Sequence, residues 1–379
     1  MRTNRYNLLF LLLSIGILFN PILVRGAQKP RLKFEHITVG DGLPSNHIRT
    51  IFQDHLGLLW FGTQNGLVKY DGHFQVFRAD DENPQAIQQD NIIDIVEDHR
   101  GNLWLATVSA GIARFNRQQG DFTRFQHDSE NPLTISHNNI RDLLISSDST
   151  LWIATDGGLN QLPLNQENFG KSIYSADDPF SISSDRVLCL YEDSQHNLWV
   201  GTNAGLNKLD QSTGRFTLPF GDLDEQLSTG EIITLLEDHS GSLWIGTETG
   251  LVQFSQDKGT VQRFKHDPQV VDTIGDDKIT SIYEDDRGHI WVGTKQGGLN
   301  LVIPGSGTFH RYQTAVNDPG SISSNWIECI FEDQSGVLWA GCWLTGLNKF
   351  DPYRARFDHF FHQPGAANSL TRIFHESLL

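Results

Sequence analysis

Between residues 232 and 265, apolar and polar positions alternate in four short runs: Ile232–Glu237, Ser242–Gly246, Leu251–Phe254 and Val261–Lys265. Period-two alternation in runs this short predicts β-strands. We label the four strands a, b, c and d. The a–b turn, Asp238–Gly241, opens on an Asp that can accept backbone N–H bonds and closes on a Gly. The segment 237–254, EDHSGSLWIGTETGLVQF, is spelled again with small changes at 97–115, 192–209 and 284–301. Its Trp recurs as Trp60, Trp104, Trp152, Trp199, Trp244, Trp291 and Trp339, at spacings of 44, 48, 47, 45, 47 and 48 residues.

A four-stranded antiparallel unit at this period is a blade of a β-propeller. The expected fold is therefore all-β, a seven-bladed β-propeller of four-stranded antiparallel blades over residues 27–362. One blade cannot bury both of its apolar faces, so consecutive blades must stack. The repeat Trp is expected to fill the gap between them. The small residue two positions later (Gly62, Ala106, Ala154, Gly201, Gly246, Gly293 and Gly341) should let neighbouring backbones approach. The third copy, LLISSDSTLWIATDGGL at 143–159, lacks the acidic pair and the turn Gly. It predicts the same blade with an altered a–b turn.

The ends need separate treatment. LKFEHIT at 32–38 reads as a d strand without its own a, b and c, while Phe357–Phe361 offers the last blade a second d strand. Either the first pairs elsewhere or the last leads onward. QPGAANSLTRI at 363–373 resembles NDPGSISSNWI at 317–327, the approach to a blade, so 363–379 reads as the truncated start of a further repeat. At the other end, Arg2 and Arg5 precede the apolar run Leu8–Phe19, and small residues follow at Gly26–Ala27. That run is shorter than the roughly 20 residues a membrane span needs. Residues 1–26 therefore read as a secretory signal peptide with cleavage near Ala27, which places the protein in the periplasm. No later stretch is apolar enough to span a membrane.

Composition narrows the function. The net charge of −17 argues against a nucleic-acid partner, which would need a basic surface. Three cysteines, Cys189, Cys329 and Cys342, form neither a disulfide framework nor a metal motif. No cofactor or metal is expected.

The segments FEHITVGDGLPSNHIRTIFQDHLGLLWFGTQNGLVKYDG at 34–72 and NIIDIVEDHRGNLWLATVSAGIARFN at 91–116 resemble the two-component regulator propeller repeat. The resemblance covers roughly residues 32–361. It implies an exported sensor region of a bacterial membrane receptor, whose output in the family is a histidine kinase or a diguanylate cyclase. The chain has no kinase, nucleotide-binding or cyclase motif, so it is expected to sense without signalling by itself.

Candidate site residues follow from where the repeats differ. The opening position of strand a carries His47, Asn91, Asn139, Arg186, Glu231, Lys278 and Trp326, and the b–c loops add Asn203, Lys295 and Trp343. Positions that vary while the core repeats face solvent. Trp326 and Trp343 read as an exposed pair suited to stacking on a sugar ring or an apolar ligand, or else as packing on each other or on a further domain. Arg186 and Lys278 could receive a carboxylate or sulfate, with Glu231 opposing them. His55, His99 and His239 follow the turn Asp on the opposite face and read as solvated turn residues. Asp94 and Asp142 share one strand-a position in adjacent blades, a pattern open to acid–base work but more often used to bond backbone. The expected function is binding of a small molecule, such as an oligosaccharide, by a non-enzymatic sensor. Alternatives are a propeller lyase or glycosidase, or a platform that docks a second propeller or another receptor copy.

Overall fold

The computed structural model describes residues 29–352, apart from Asp222. The expected signal peptide, the run Phe357–Phe361 and the segment 363–379 lie outside the described residues. Within them the chain forms seven four-stranded sheets. Their a strands are Ile48–Gln53, Ile92–Glu97, Ile140–Ile145, Val187–Glu192, Ile232–Glu237, Ile279–Glu284 and Ile327–Glu332, which number the blades 1 to 7. Each a strand touches the next, and the seventh touches the first, so the ring closes around a channel. Closure comes from the amino-terminal run. Strand Glu35–Ile37 pairs antiparallel with strand c of blade 7, His36 opposite Asn348. Phe34 packs 4.8 Å from Phe350. A d strand from the start of the chain thus latches the last blade, which settles where 32–38 pairs.

The repeat Trps are core, each at most 5% exposed. Trp60 of blade 1 packs with Ile92, Ile95 and Phe115 of blade 2. Each indole N–H also needs an acceptor, and the a–b turn supplies it. Trp60, Trp104, Trp199, Trp244, Trp291 and Trp339 donate to Oδ2 of Asp54, Asp98, Asp193, Asp238, Asp285 and Asp333 at 2.7–3.0 Å. In the divergent third copy Ser146 Oγ accepts from Trp152 at 3.1 Å. The altered turn keeps the bond with a smaller acceptor. It also places Ser149 at φ 65°, where most other copies have Gly.

Asp54 shows what this carboxylate does. Its Oδ1 accepts from the Leu56 and Leu58 N–H groups, and its Oδ2 from Trp60 and Arg117. Burial alone would push the Asp54 carboxyl up; the bonds from Trp60, Arg117 and Leu58 and the Arg117 charge together outweigh it and hold the group below its ordinary range. Asp54→Asn replaces one of the two accepting oxygens with a donor. It should lower stability by about 1–3 kcal/mol. The sign of the pH dependence follows from the depressed pKa. Stability from Asp54 is fully present above the unfolded value of about 3.9 and is lost as pH falls through the folded pKa. Urea titrations should therefore show the gap between variant and wild type narrowing in acid.

The Glu before the turn Asp ties blades together. Glu97, Glu192, Glu237, Glu284 and Glu332 accept backbone N–H bonds from His55, Ser147, Ser194, His239 and Asp286 of the preceding blade. Gln53 does the same for Gln334 across the closing seam. Only the seam between blades 2 and 3 lacks this acceptor, because Ile145 stands in its place. That seam is still bridged by Asp94, whose Oδ2 takes the Leu143 N–H at 2.9 Å. His55 and His239 are exposed turn residues as expected, but they are bonded rather than merely solvated, with Nδ1 at 2.6 and 2.7 Å from Glu97 and Glu284.

The small residue two after each Trp is needed for blade contact. A Cβ at Gly341 would lie 2.5 Å from Cys329 Sγ and 2.9 Å from Ile48 Cγ2, across the seam that closes the ring.

Candidate functional site: the channel mouth

Two features make the d–a and b–c end of the ring a rigid frame. First, each approach to strand a carries an apolar side chain five positions ahead of it: Leu43, Ile87, Ile135, Ile182, Leu227, Ile274 and Ile322, all at most 4% exposed. Second, buried Asn160, Asn207, Asn300 and Asn348 on strand c accept backbone N–H bonds from Ser136, Ser183, Gly275 and Ser323 in those approaches. The recurrence of these residues was available in the sequence and went unused in the reading above.

On this frame the variable positions meet in pairs. The first residue of the b–c loop donates its N–H to the carbonyl of the strand-a opening residue in six blades: Gln64 to His47, Val108 to Asn91, Asp156 to Asn139, Asn203 to Arg186, Lys295 to Lys278 and Trp343 to Trp326. Both sets of sequence-derived candidates therefore stand side by side around one mouth.

Their side chains form a nearly continuous chain of contacts. Asp156 takes Asn139 at 3.0 Å and Arg141 through two bonds of 2.8 Å, and lies 3.6 Å from Arg186. Arg186 lies 4.0 Å from Glu231. Lys278 pairs with Glu248 at 2.9 Å. Lys295 sits 4.8 Å over Trp326, and Trp326 stacks on Trp343 at 4.4 Å with rings 10° from parallel. Trp343 meets the edge of His47 at 3.9 Å. The side chains of Asn91 and Asn203 stand outside, that of Asn91 with its Oδ1 buried and unpartnered. Two expectations change here. Trp326 and Trp343 are half-buried and cover one face of each other, an arrangement that adjacent ladder positions bring within reach and that aromatic pairs favour. Arg186 and Lys278 have acids besides the expected Glu231, since the neighbouring blades supply Asp156 to the first and Glu248 to the second.

Behind this rim lies a second ring that the sequence reading missed. In every blade the a–b register slips by one residue near the start of strand a, between Ile48 and Thr50 in blade 1 and at the equivalent place in the others. Such a bulge re-aims the extra residue. The extra residues are Arg49, Ile93, Arg141, Leu188, Ile233, Thr280 and Glu328. They vary freely between core positions that repeat, which is the signal that could have found them. Arg49 feels the charges of both Glu328 and Arg141, from blades 7 and 3, as expected of groups facing a common channel.

Asp94 and Asp142 sit one residue further along and are mostly buried. Each Oδ2 accepts a backbone N–H of the next blade, from Leu143 at 2.9 Å and Leu190 at 2.7 Å. Burial, and for Asp142 the neighbouring Asp94 charge, pushes both carboxyls up. Their bonding ties blade to blade. Cys189, Cys329 and Cys342 are free thiols, raised by burial. Among the described residues no group of three or more His, Cys, Asp or Glu could hold a metal ion. A cleft of about 450 Å³ opens between blades 5 and 6 at the opposite end, beside Asp238, His239, Trp244 and Glu284. Those polar groups are already engaged in the turn and seam bonds described above, so the mouth is the better candidate.

Comparison with known proteins agrees with this architecture. The pattern described as "Two component regulator propeller" matches residues 42–65, 86–109, 181–204, 226–249, 273–296 and 321–343. Six of the seven blades thus carry the two-component regulator propeller repeat. The blade this pattern passes over is the third, whose turn has lost its acidic pair. Two solved extracellular domains of hybrid two-component systems from B. thetaiotaomicron share the fold. One has a TM-score of 0.72 at 22% identity and the other 0.69 at 23%. They cover 84% and 86% of this chain, while the chain spans only 42% and 40% of theirs. A 62-residue stretch is 40% identical to histidine kinase P4 of Formosa agariphila, over 16% of this chain and 4% of that protein. The virginiamycin B lyase of Staphylococcus aureus also has this fold, with a TM-score of 0.60 at 12% identity. Propeller architecture alone therefore does not separate sensor from enzyme. No helix among the described residues is long and apolar enough to cross a membrane.

Proposed function

We propose that this propeller is the ligand-recognising part of an exported, periplasmic sensor of a bacterial transmembrane receptor. It binds a small extracellular molecule, with an oligosaccharide the leading class, at the d–a and b–c mouth, and depends on other domains for output. The observation that carries this reading is the mouth itself. A repeated, heavily bonded frame presents a different chemical pair in each blade, including the Trp326–Trp343–His47 stack. A scaffold that needed only to be stable would not require that variety. The exported relatives support the sensor setting.

The test is a thermal-shift screen of the full chain against neutral and acidic oligosaccharides and small metabolites. A binder at a hundred times its Kd should stabilise by about 2.7 kcal/mol, and Trp343→Ala should abolish the shift. A well-folded protein that melts at one temperature across the whole panel would sink the proposal.

A second reading, a docking platform for another propeller or receptor copy, has one observation in its favour. Around blades 3 and 4, Ile173, Tyr174, Phe180 and Leu218 are 59, 48, 43 and 43% exposed. Concentration-dependent association removed by Ile173→Asp, with ligand binding intact, would support it.

A further inference from the structure

We infer that the ligand taken at the mouth carries an oxyanion, a carboxylate or a sulfate ester, and that Arg49 receives it. This inference rests on the ligand-binding reading above and names the chemistry of its ligand.

The starting point is that Arg49, like Lys295 over Trp326 but unlike Arg141, Arg186 and Lys278, has no carboxylate partner, and that of these five cations Arg49 carries a solvent-shielded nitrogen without a bond. Arg141 and Arg186 share Asp156, and Lys278 is held by Glu248. Arg49 makes no hydrogen bond or ion pair with any described residue, and its Nε is shielded from solvent without a partner. Its guanidinium lies 5.8 Å from the ring centre of Trp343. Glu328 acts on it through its charge but does not come within ion-pair distance. Beside it, His47 is 1% exposed. Its Nε2 is also without a hydrogen-bond partner, at 3.8 Å from Glu328 Oε1. Buried cationic donors are normally paired, because an unmade bond to a charged donor is costly.

The fold does not require an arginine here. The equivalent bulge positions carry Ile93, Leu188 and Ile233 in blades 2, 4 and 5, and those blades close with the same register slip. Arg49 is therefore an addition to the scaffold. A guanidinium offers a flat fork of donors that fits carboxylate and sulfate oxygens. The indole beside it provides an apolar wall for the ring that bears the anion.

The same repeat logic supplies a gentle variant. Arg49→Leu copies blade 4, and Glu328→Gln removes the acid whose charge acts on Arg49 and would oppose an anion. Isothermal titration of the full chain should use matched probes: a uronate trisaccharide and its neutral methyl ester, and a sulfated disaccharide and its desulfated form. The charged member of one pair should bind on the order of tenfold or more tighter than its neutral partner, the size expected for charge-assisted bonds. Arg49→Leu should erase that preference and Glu328→Gln should enlarge it. Two variants moving affinity in opposite directions would not come from general loosening of the fold. Which pair discriminates assigns the anion as carboxylate or sulfate. Equal binding of charged and neutral partners, unchanged in Arg49→Leu, overturns the inference while leaving ligand binding at the mouth intact. No binding by any probe, together with a silent screen, overturns both.

Discussion

A chain lacking residues 31–38 should fail to close its ring. Glu35–Ile37 is the only strand among the described residues that covers the outer edge of strand c of blade 7. Phe34, 3% exposed, lies in a cluster with Trp291, Tyr312 and Phe350. Removing this strap exposes the backbone donors and acceptors of Leu347–Lys349 and the apolar side of the last blade. An uncovered strand edge recruits other chains. The expected result is a broad, early thermal transition and concentration-dependent oligomers in light scattering. A synthetic peptide of residues 31–38 should restore part of the melting temperature. An unshifted, cooperative melt of the deletion would show that blade 7 is held by something else. The smaller variant Phe34→Asp tests the same seam without changing chain length.

Replacing one blade-spacing indole should cost nearly as much. Trp60 is 1% exposed and contacts apolar groups of blade 2. Trp60→Ala leaves a cavity between blades and strips Asp54 of one of its donors. Large-to-small changes of this kind cost about 3–5 kcal/mol, a large share of the 5–15 kcal/mol typical of a domain. Trp60→Phe keeps much of the volume and loses only the indole bond, so it should fall between wild type and Trp60→Ala. Chemical denaturation gives both values directly. Equal stability for Trp60→Ala and wild type would mean that the blades do not rely on the indole layer.

Much of the architecture was legible because it is periodic. A Trp returning every 44 to 48 residues and four alternating runs per period leave few alternatives to stacked blades. The acidic turn could be read as a backbone acceptor, since Asp at that place has few other uses. Its second task, receiving the indole N–H, was hidden because the two side chains are six residues apart and meet only when strands a and b pair. The Glu seam bonds were hidden for a stronger reason. Donor and acceptor lie some 42 to 46 residues apart, as in His55 with Glu97 and Asp286 with Glu332.

The candidate site was half legible. Aligning repeats identified His47, Arg186, Lys278, Trp326 and their b–c partners as the variable rim, and the structure brings them to one mouth. What alignment cannot show is who pairs with whom across blades. Alignment leaves Trp326 and Trp343 open platforms or partners of each other, and the structure stacks them. Alignment sets Glu231 opposite Arg186 but does not show that Asp156 also reaches it from the blade before. Arg49 and Glu328 were passed over because strict alternation does not announce a bulge; the extra residue is apparent only when the paired strand shows the slipped register.

The sequence by itself determined the blade, the number of its copies and the residues that must sit between them. Those are local consequences of period, turn chemistry and side-chain size. Only the tertiary structure decided that a strand from the beginning of the chain latches its last blade. It alone showed which rim charges are neutralised and that Arg49 remains unpaired. Those outcomes depend on distances between residues that sequence separation does not encode, because a closed ring makes neighbours of positions hundreds of residues apart.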